Sequence, residues 1–127
     1  MIELLPGFPP SVLAIRCWGQ VSKGDYETVL IPELQRVLRA HRKVRLYYQL
    51  GPGWLGFDSG AIWDDFIAGT EHLDRWERTA VVTDAEWVRC MCQALSLFVP
   101  GGVRVFDFAE ASQSKAWIVD GLPALIA

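Results

Sequence analysis

The chain has 127 residues, of which 51% are hydrophobic and 21% are charged, and its formal net charge is −3. This length and composition are typical of a single folded domain, residues 1–127, and they exclude a disordered chain. With 12 basic residues against 15 acidic ones, the chain lacks the basic excess of proteins that bind nucleic acids. We therefore expect no nucleic-acid partner.

The cysteines and the amino-terminal residues indicate a cellular compartment. Cys17, Cys90 and Cys92 are an odd number and have no C-x-x-C spacing or neighbouring histidine, so we predict reduced thiols and no metal site. No basic segment is followed by a long apolar run, and no apolar run approaches the length of a membrane span. These features predict a cytoplasmic protein that is neither secreted nor membrane-spanning.

The first elements in chain order are two strands and a helix. Branched residues predict strands at 2–5 and 12–18, which we expect to pair antiparallel. Ser22 and Asp25 are typical of a helix start, and apolar residues then recur at helical spacing. Pro32 lies inside this pattern, so a kink or a short first turn is expected there.

The next segment is a strand followed by a glycine-rich stretch. Residues 44–50 alternate between apolar and polar side chains, which predicts a half-buried strand. Glycine and proline in 51–57 make regular structure unfavourable and predict a loop. A second helix is expected from about Ser59 to Leu73.

A third strand and a third helix follow. The strand is predicted at 78–83, and the Thr83 to Glu86 segment has the residue types of a capping box, which begins a helix. This helix is expected to run to about Phe98. Its predicted buried stripe consists of Trp87, Cys90, Met91, Ala94, Leu95 and Phe98, and further apolar residues make the stripe wider than a surface helix needs.

A last strand at 103–107 and a helix at 109–119 complete the pattern. Strands that alternate with helices predict an α/β fold in which right-handed crossovers connect parallel strands. The predicted architecture is a single-domain, mostly parallel mixed sheet with an antiparallel N-terminal edge strand and about four helices.

The glycine-rich stretch is the first candidate site because it carries large apolar side chains. Trp54, Leu55 and Phe57 lie in a predicted loop, and loops are usually at the surface. These side chains either fold back into the core or are offered to a ligand or a membrane. In the second case Trp63 would lie beneath them and Arg45 would contact a head group.

Catalytic chemistry has little support in this sequence. The chain has no nucleophile-elbow, zinc-protease or phosphate-loop motif. Asp64 and Asp65 are adjacent in a predicted helix and diverge by about 100°. His41 and His72 are more simply explained as helix-end residues. We predict a non-enzymatic protein without a cofactor or metal.

Four strand arginines present an open alternative. If Arg16, Arg45, Arg78 and Arg104 project from one face of the sheet, they could hold an anionic group. The simpler interpretation is an ordinary polar face. The sequence does not decide between the two.

Asp58 and Ser59 also have two interpretations. Either residue is a good N-cap for the second predicted helix. A phosphate on Ser59 would instead lie at the positive end of that helix.

Four runs of sequence resemble one protein family. They are MIELLPG at 1–7, DYETVLIP at 25–32, GAIWDD at 60–65 and WERTAVVTDAEW at 76–87. Together with the element order, they resemble the SpoIIAA-like proteins, a bacterial group of STAS-type domains. The resemblance covers nearly the whole chain.

The resemblance implies a STAS-like fold that is similar in shape to the CRAL-TRIO lipid-binding domains. It implies a binding domain for a small apolar or amphiphilic ligand, with peripheral association at the inner face of the membrane. The alternative that it implies is a module like the anti-sigma-factor antagonists, in which a partner kinase phosphorylates the serine of a D-x-S-G segment. Asp58-Ser59-Gly60 occupies that place with one residue fewer. A homodimer formed through the apolar residues is a third prediction.

Overall fold

The computed structural model describes residues 1–57, 75–97 and 101–122. Within them, one mixed sheet contains five strands in the order β1-β2-β3-β4-β5. The first strand is antiparallel to the second, and the other pairings are parallel. The predicted α/β class with an antiparallel N-terminal edge is therefore confirmed. The strands are β1 (Ile2–Leu4), β2 (Val12–Val21), β3 (Val44–Phe57), β4 (Trp76–Val82) and β5 (Val103–Phe106).

Three helices of nine or ten residues lie within the described ranges, against about four predicted. The helix predicted from Ser59 to Leu73 lies outside those ranges. The helical elements are α1 (Lys23–Asp25), a π-helical segment (Tyr26–Leu30), α2 (Ile31–Ala40), α3 (Glu86–Leu95), a 3-10 turn (Phe108–Glu110) and α4 (Ala111–Val119).

The start of the first helical region follows the sequence signals. The Ser22 backbone N–H donates to Asp25 Oδ2 at 2.9 Å, and the Asp25 N–H donates to Ser22 Oγ at 3.1 Å. The change from π-helical to α-helical geometry lies at Ile31, next to Pro32. This is where the missing proline N–H was expected to disturb the helix.

The two faces of the sheet are covered by different helices. Leu34 of α2 and Val88 of α3 pack in one apolar core, and Ile118 of α4 packs in the other. In β3, Leu46 belongs to the first core and Tyr47 to the second, and both are buried. The prediction of a half-buried strand is therefore wrong, because α4 covers the face that was expected to be polar.

The predicted loop at 51–57 is also wrong, because β3 continues through it to Phe57. Beyond Leu50 the strand still pairs with β2, with Gly19 opposite Trp54 and Val21 opposite Phe57. The glycines that seemed to forbid a strand are accommodated by irregular register between Cys17 and Gln20. Such irregularities, or bulges, insert extra residues into one strand while pairing continues.

The predicted capping box at Thr83 is likewise wrong. The Thr83 N–H donates to the Phe106 carbonyl at 2.9 Å, which continues the sheet for one residue beyond β4. Helix α3 begins later, after Ala85, and no side chain caps it. Thr83 Oγ1 instead accepts a hydrogen bond from the Ala85 N–H at 3.1 Å.

Candidate functional site

Two tryptophans meet where β3 ends and α3 begins. The rings of Trp54 and Trp87 are stacked, with centroids 5.6 Å apart and planes at 27°. Trp54 is partly buried and packs against the core between the sheet and α2–α3, whereas Trp87 is 55% exposed. The pair lies at the carboxyl ends of the parallel strands, the edge at which open α/β sheets bind ligands.

Leu55 projects from a bulge beside this pair. Gly19 is opposite Trp54 and Gln20 is opposite Gly56, so Leu55 is an extra residue on β3 with no partner position on β2. A bulge turns its extra residue away from the regular ladder, and Leu55 is 77% exposed. The leucine is thus presented by paired strand backbone and not by an irregular lid.

Helix α3 continues the exposed apolar area. Val88 and Cys92 are its buried contacts with the core, whereas Trp87 is exposed and Leu97, just beyond the helix, is 85% exposed. The predicted buried stripe is therefore wrong for Trp87, Cys90, Met91 and Ala94, which are exposed or only partly buried. The reason is that α3 has apolar residues on two sides, and the sheet covers the side with Val88 and Cys92.

We call this area the apolar surface. Its successive members on α3 are one or three residues apart and share one side of the helix. Sequence reasoning missed the role of Trp87 by placing it in the core. The available signal was the excess apolar width of α3, which is typical of a helix contacted on two sides. The apolar surface consists of Trp54, Leu55, Trp87, Cys90, Met91, Ala94 and Leu97.

Acidic side chains lie beside the start of the apolar surface. Asp84 precedes α3 by two residues and Glu86 lies in its first turn, and the Glu86 side chain is 81% exposed. Arg89 contacts the carboxylate of Asp107 and lies 3.9 Å from that of Glu86. Asp84 accepts a hydrogen bond from the backbone N–H of Phe108 at 3.1 Å. The described residues at this end therefore carry more negative than positive charge.

Arg45 is held on the opposite face of the sheet from Trp54. Its Nη1 donates to the carbonyl oxygens of Ile118 at 3.0 Å and Asp120 at 2.6 Å, and its Nε donates to Glu77 Oε1 at 2.5 Å. The residue is only 6% exposed. The structure thus does not bring Arg45 to the apolar surface, because the alternation of β3 directs it toward α4.

The other three strand arginines lie on the same face as Arg45, as the row hypothesis required. Arg16, near the antiparallel edge, lies 3.5 Å from the carboxylate of Glu3. Arg78 Nη1 donates to the Trp117 carbonyl at 2.7 Å, and the Arg104 guanidinium lies 5.2 Å from the Trp117 ring centre. Arg78 and Arg45 both donate to carbonyls near the carboxyl end of α4, where positive charge is favourable. Their observed role is to bind this helix.

The remaining predicted site residues are described in part or not at all. Phe57 ends β3, and its backbone pairs with Val21. Trp63, Asp58 and Ser59 lie outside the described residues, so their proposed roles stay predictions.

The cysteines are free thiols. Burial raises the pKa of Cys17 to about 12 and that of Cys92 to about 11, so both remain protonated at neutral pH. In the part of the chain that the structure describes, no group of three or more His, Cys, Asp or Glu side chains could hold a metal ion. Among the same residues, no helix is long and apolar enough to cross a membrane.

Comparisons with known proteins identify the fold. The SpoIIAA-like family model matches residues 12–119. A similar solved structure is an uncharacterized protein of the DUF3478 family with a SpoIIAA-like fold, from Shewanella loihica PV-4. It is 22% identical, with a TM-score of 0.64 over 84% of this chain and 83% of that chain, and this likeness concerns the fold alone. No curated protein matches the chain.

Proposed function

The chain belongs to the SpoIIAA-like family, and we propose that it is a non-enzymatic binding domain that docks a protein partner on the apolar surface. SpoIIAA-like domains are generally non-enzymatic and are often protein-interaction modules. The observation that carries the proposal is the exposure of Leu55 and Trp87, 77% and 55%, beside a stacked tryptophan pair. Contiguous apolar area of this kind marks interaction sites.

The way these side chains are held supports binding. Leu55 is on a bulge between two residues of β3 that pair with β2, and Trp87 is in the first turn of α3 against Trp54. A binding side chain carried by ordered backbone loses less conformational entropy when it is covered than one carried by a loop that must first become ordered. Burial of each leucine-sized side chain would stabilise a complex by about 2 kcal/mol.

A small amphiphile or a membrane surface is the second candidate for the same site. The tip formed by Leu55 and the two indoles favours it, because tryptophan is common where apolar and polar media meet. Asp84, Glu86 and Asp107 oppose it for anionic lipids, since like charges repel. We therefore place a protein partner first and a neutral amphiphile second.

The test measures binding of two probes to the wild type and to variants. The probes are a synthetic amphipathic helical peptide with a leucine stripe and vesicles of neutral phosphatidylcholine or anionic phosphatidylglycerol. We expect saturable binding of the peptide to the wild type. The L55S/W87S variant should bind it about tenfold more weakly, a loss of about 1.4 kcal/mol in the free energy of binding. Leu4, 43% exposed on β1, provides the matched control variant Leu4→Ser, which should bind as the wild type does.

The outcomes separate the candidates. Peptide binding without vesicle binding supports a protein partner, and vesicle binding alone supports the amphiphile candidate, with the protein at the membrane periphery. Equal binding by the wild type and L55S/W87S, or no binding of either probe, would overturn the proposal.

Phosphorylation of Ser59 by a partner kinase is the proposed switch in the antagonist-like alternative. It is favoured by the position of Asp58-Ser59, which directly follows β3 and so comes soon after Trp54 and Leu55 in the sequence. On this alternative Ser59→Asp weakens peptide binding and Ser59→Ala does not. Equal affinities of the two variants would remove the switch.

A further inference from the structure

The shape and the charge of the apolar surface indicate which kind of protein segment it binds. We infer that this segment is an amphipathic helix of a different protein, with lysine or arginine at the end that lies over Asp84 and Glu86. The inference rests on the proposed function and specifies its partner.

The shape favours a helix. From Trp87 through Met91 to Ala94, the apolar surface follows most of α3, about 10 Å at 1.5 Å per residue. Cys90 and Ala94 are small side chains in the middle of this stripe, and they let a second helix approach closely. An extended peptide would instead require unpaired strand backbone, which a helix face does not offer.

The charge favours a basic end on the bound helix. The Glu86 side chain is 81% exposed, and within the described ranges it has one ion pair, a 3.9 Å contact with Arg89, which also contacts Asp107. At the other end of α3, the last turn has no basic residue. A cation over Asp84 and Glu86 would gain an attractive interaction that is weakened by salt.

The same charges argue against a second copy of this chain. A two-fold axis that made the paired α3 helices parallel would place the acidic start of one helix beside that of the other. An antiparallel pair would place this acidic start beside the carboxyl end of α3, which is the negative pole of the helix and has no basic side chain in its last turn. The basic side chain that α3 carries, Arg89, already pairs with Asp107, so neither arrangement supplies a further cation of α3 to Asp84 and Glu86, and a different protein fits better.

The test uses two peptides that differ only in charge at one end. Both are amphipathic helices of about five turns with the same leucine stripe, one with lysines and the other with glutamates in the last turn. Fluorescence anisotropy should show that the wild type binds the lysine peptide at least about fivefold more tightly at low salt. This preference should disappear at high salt.

Two variants locate the charge effect. Glu86→Lys should abolish the preference, because it brings the summed charge of positions 84, 86, 89 and 107 from −2 to zero. The control is Q35K/Q113K, which changes the net charge equally at exposed positions on α2 and α4 and should keep the preference of the wild type.

The failures are distinguishable. If the wild type binds both peptides equally and the L55S/W87S variant binds neither, the charged-helix inference is overturned and the docking function stands. A preference that Q35K/Q113K changes as much as Glu86→Lys would overturn the inference as well. If the wild type sediments as a dimer and the L55S/W87S variant as a monomer, the occupant of the apolar surface is a second copy of this chain, and the inference is overturned. If neither peptide binds and vesicles do not bind, the inference and the function both fail.

Discussion

Trp54 and Trp87 stack with their ring centroids 5.6 Å apart, although 33 positions separate them in the sequence. Trp54 lies near the end of β3 and Trp87 in the first turn of α3. The stacked pair therefore joins the bulge that carries Leu55 to the helix that carries the rest of the apolar surface.

A double-mutant cycle should detect this contact as a coupling energy. Trp54→Ala should lower the free energy of unfolding by about 3 kcal/mol, because Trp54 also packs against the core. Trp87→Ala should cost less, since that side chain is 55% exposed. We expect a coupling of about 1 kcal/mol in urea unfolding experiments. Strictly additive effects would show that the stacking contributes nothing.

The order of elements could be predicted because it depends on local patterns. Branched, apolar strands alternate with helical periodicity, and this alternation predicts parallel strands joined by helices. The antiparallel edge formed by β1 and β2 followed from the short connection between them. These are the parts of the fold that the sequence predicted correctly.

The candidate site could be predicted only in part, because its geometry depends on distant partners. Trp54 and Leu55 were identified, but the strand that holds them exists because β2 extends to Val21 and pairs with it. Trp87 was assigned to the core because the periodicity shows that α3 has apolar sides. It does not show which of these sides the sheet covers. Arg45 was assigned to a ligand because nothing local indicates that α4 covers its face.

Arg45 provides a second prediction about stability. Replacement by methionine, Arg45→Met, would leave the Ile118 and Asp120 carbonyls without this donor and Glu77 without its nearest cation. Loss of one partner from such a buried set costs about 3 kcal/mol. Urea unfolding followed by circular dichroism should show this loss.

Arg104 is the control for that substitution. Its guanidinium lies over the rings of Phe106 and Trp117, and the residue is exposed. Arg104→Met should therefore cost less than about 1 kcal/mol. If both substitutions cost the same, the contacts of Arg45 with the end of α4 are not what stabilises the protein.

Gly101 provides a third prediction, because it lies against the backbone of β4. A Cβ atom added there would lie 1.8 Å from the Glu77 carbonyl oxygen. Since backbone must move to relieve this contact, Gly101→Ala should destabilise the protein by about 2 kcal/mol. Thermal unfolding should show a lower Tm.

Gly24 is the matched glycine in a permissive place. A Cβ atom there would have its nearest contact at 3.6 Å, from Ser22 Oγ, and the residue lies in α1. Gly24→Ala should be neutral or should stabilise by about 0.5 kcal/mol. Equal losses of stability for the two alanine variants would contradict the explanation from close approach.

The buried thiols predict a loss of stability at alkaline pH. Burial raises the pKa of Cys17 to about 12 and that of Cys92 to about 11, so from about pH 9 the unfolded chain loses these protons before the folded protein does. The free energy of unfolding should be steady below this range, then fall by about 1 kcal/mol per thiol by pH 10.

Urea unfolding at a series of pH values should show a shallower fall for C17A/C92A, even though its stability at neutral pH is lower. Cys90 is exposed, so the free energy of unfolding of Cys90→Ala should fall with pH as steeply as that of the wild type. If all three proteins show the same dependence on pH, the buried thiols are not its cause.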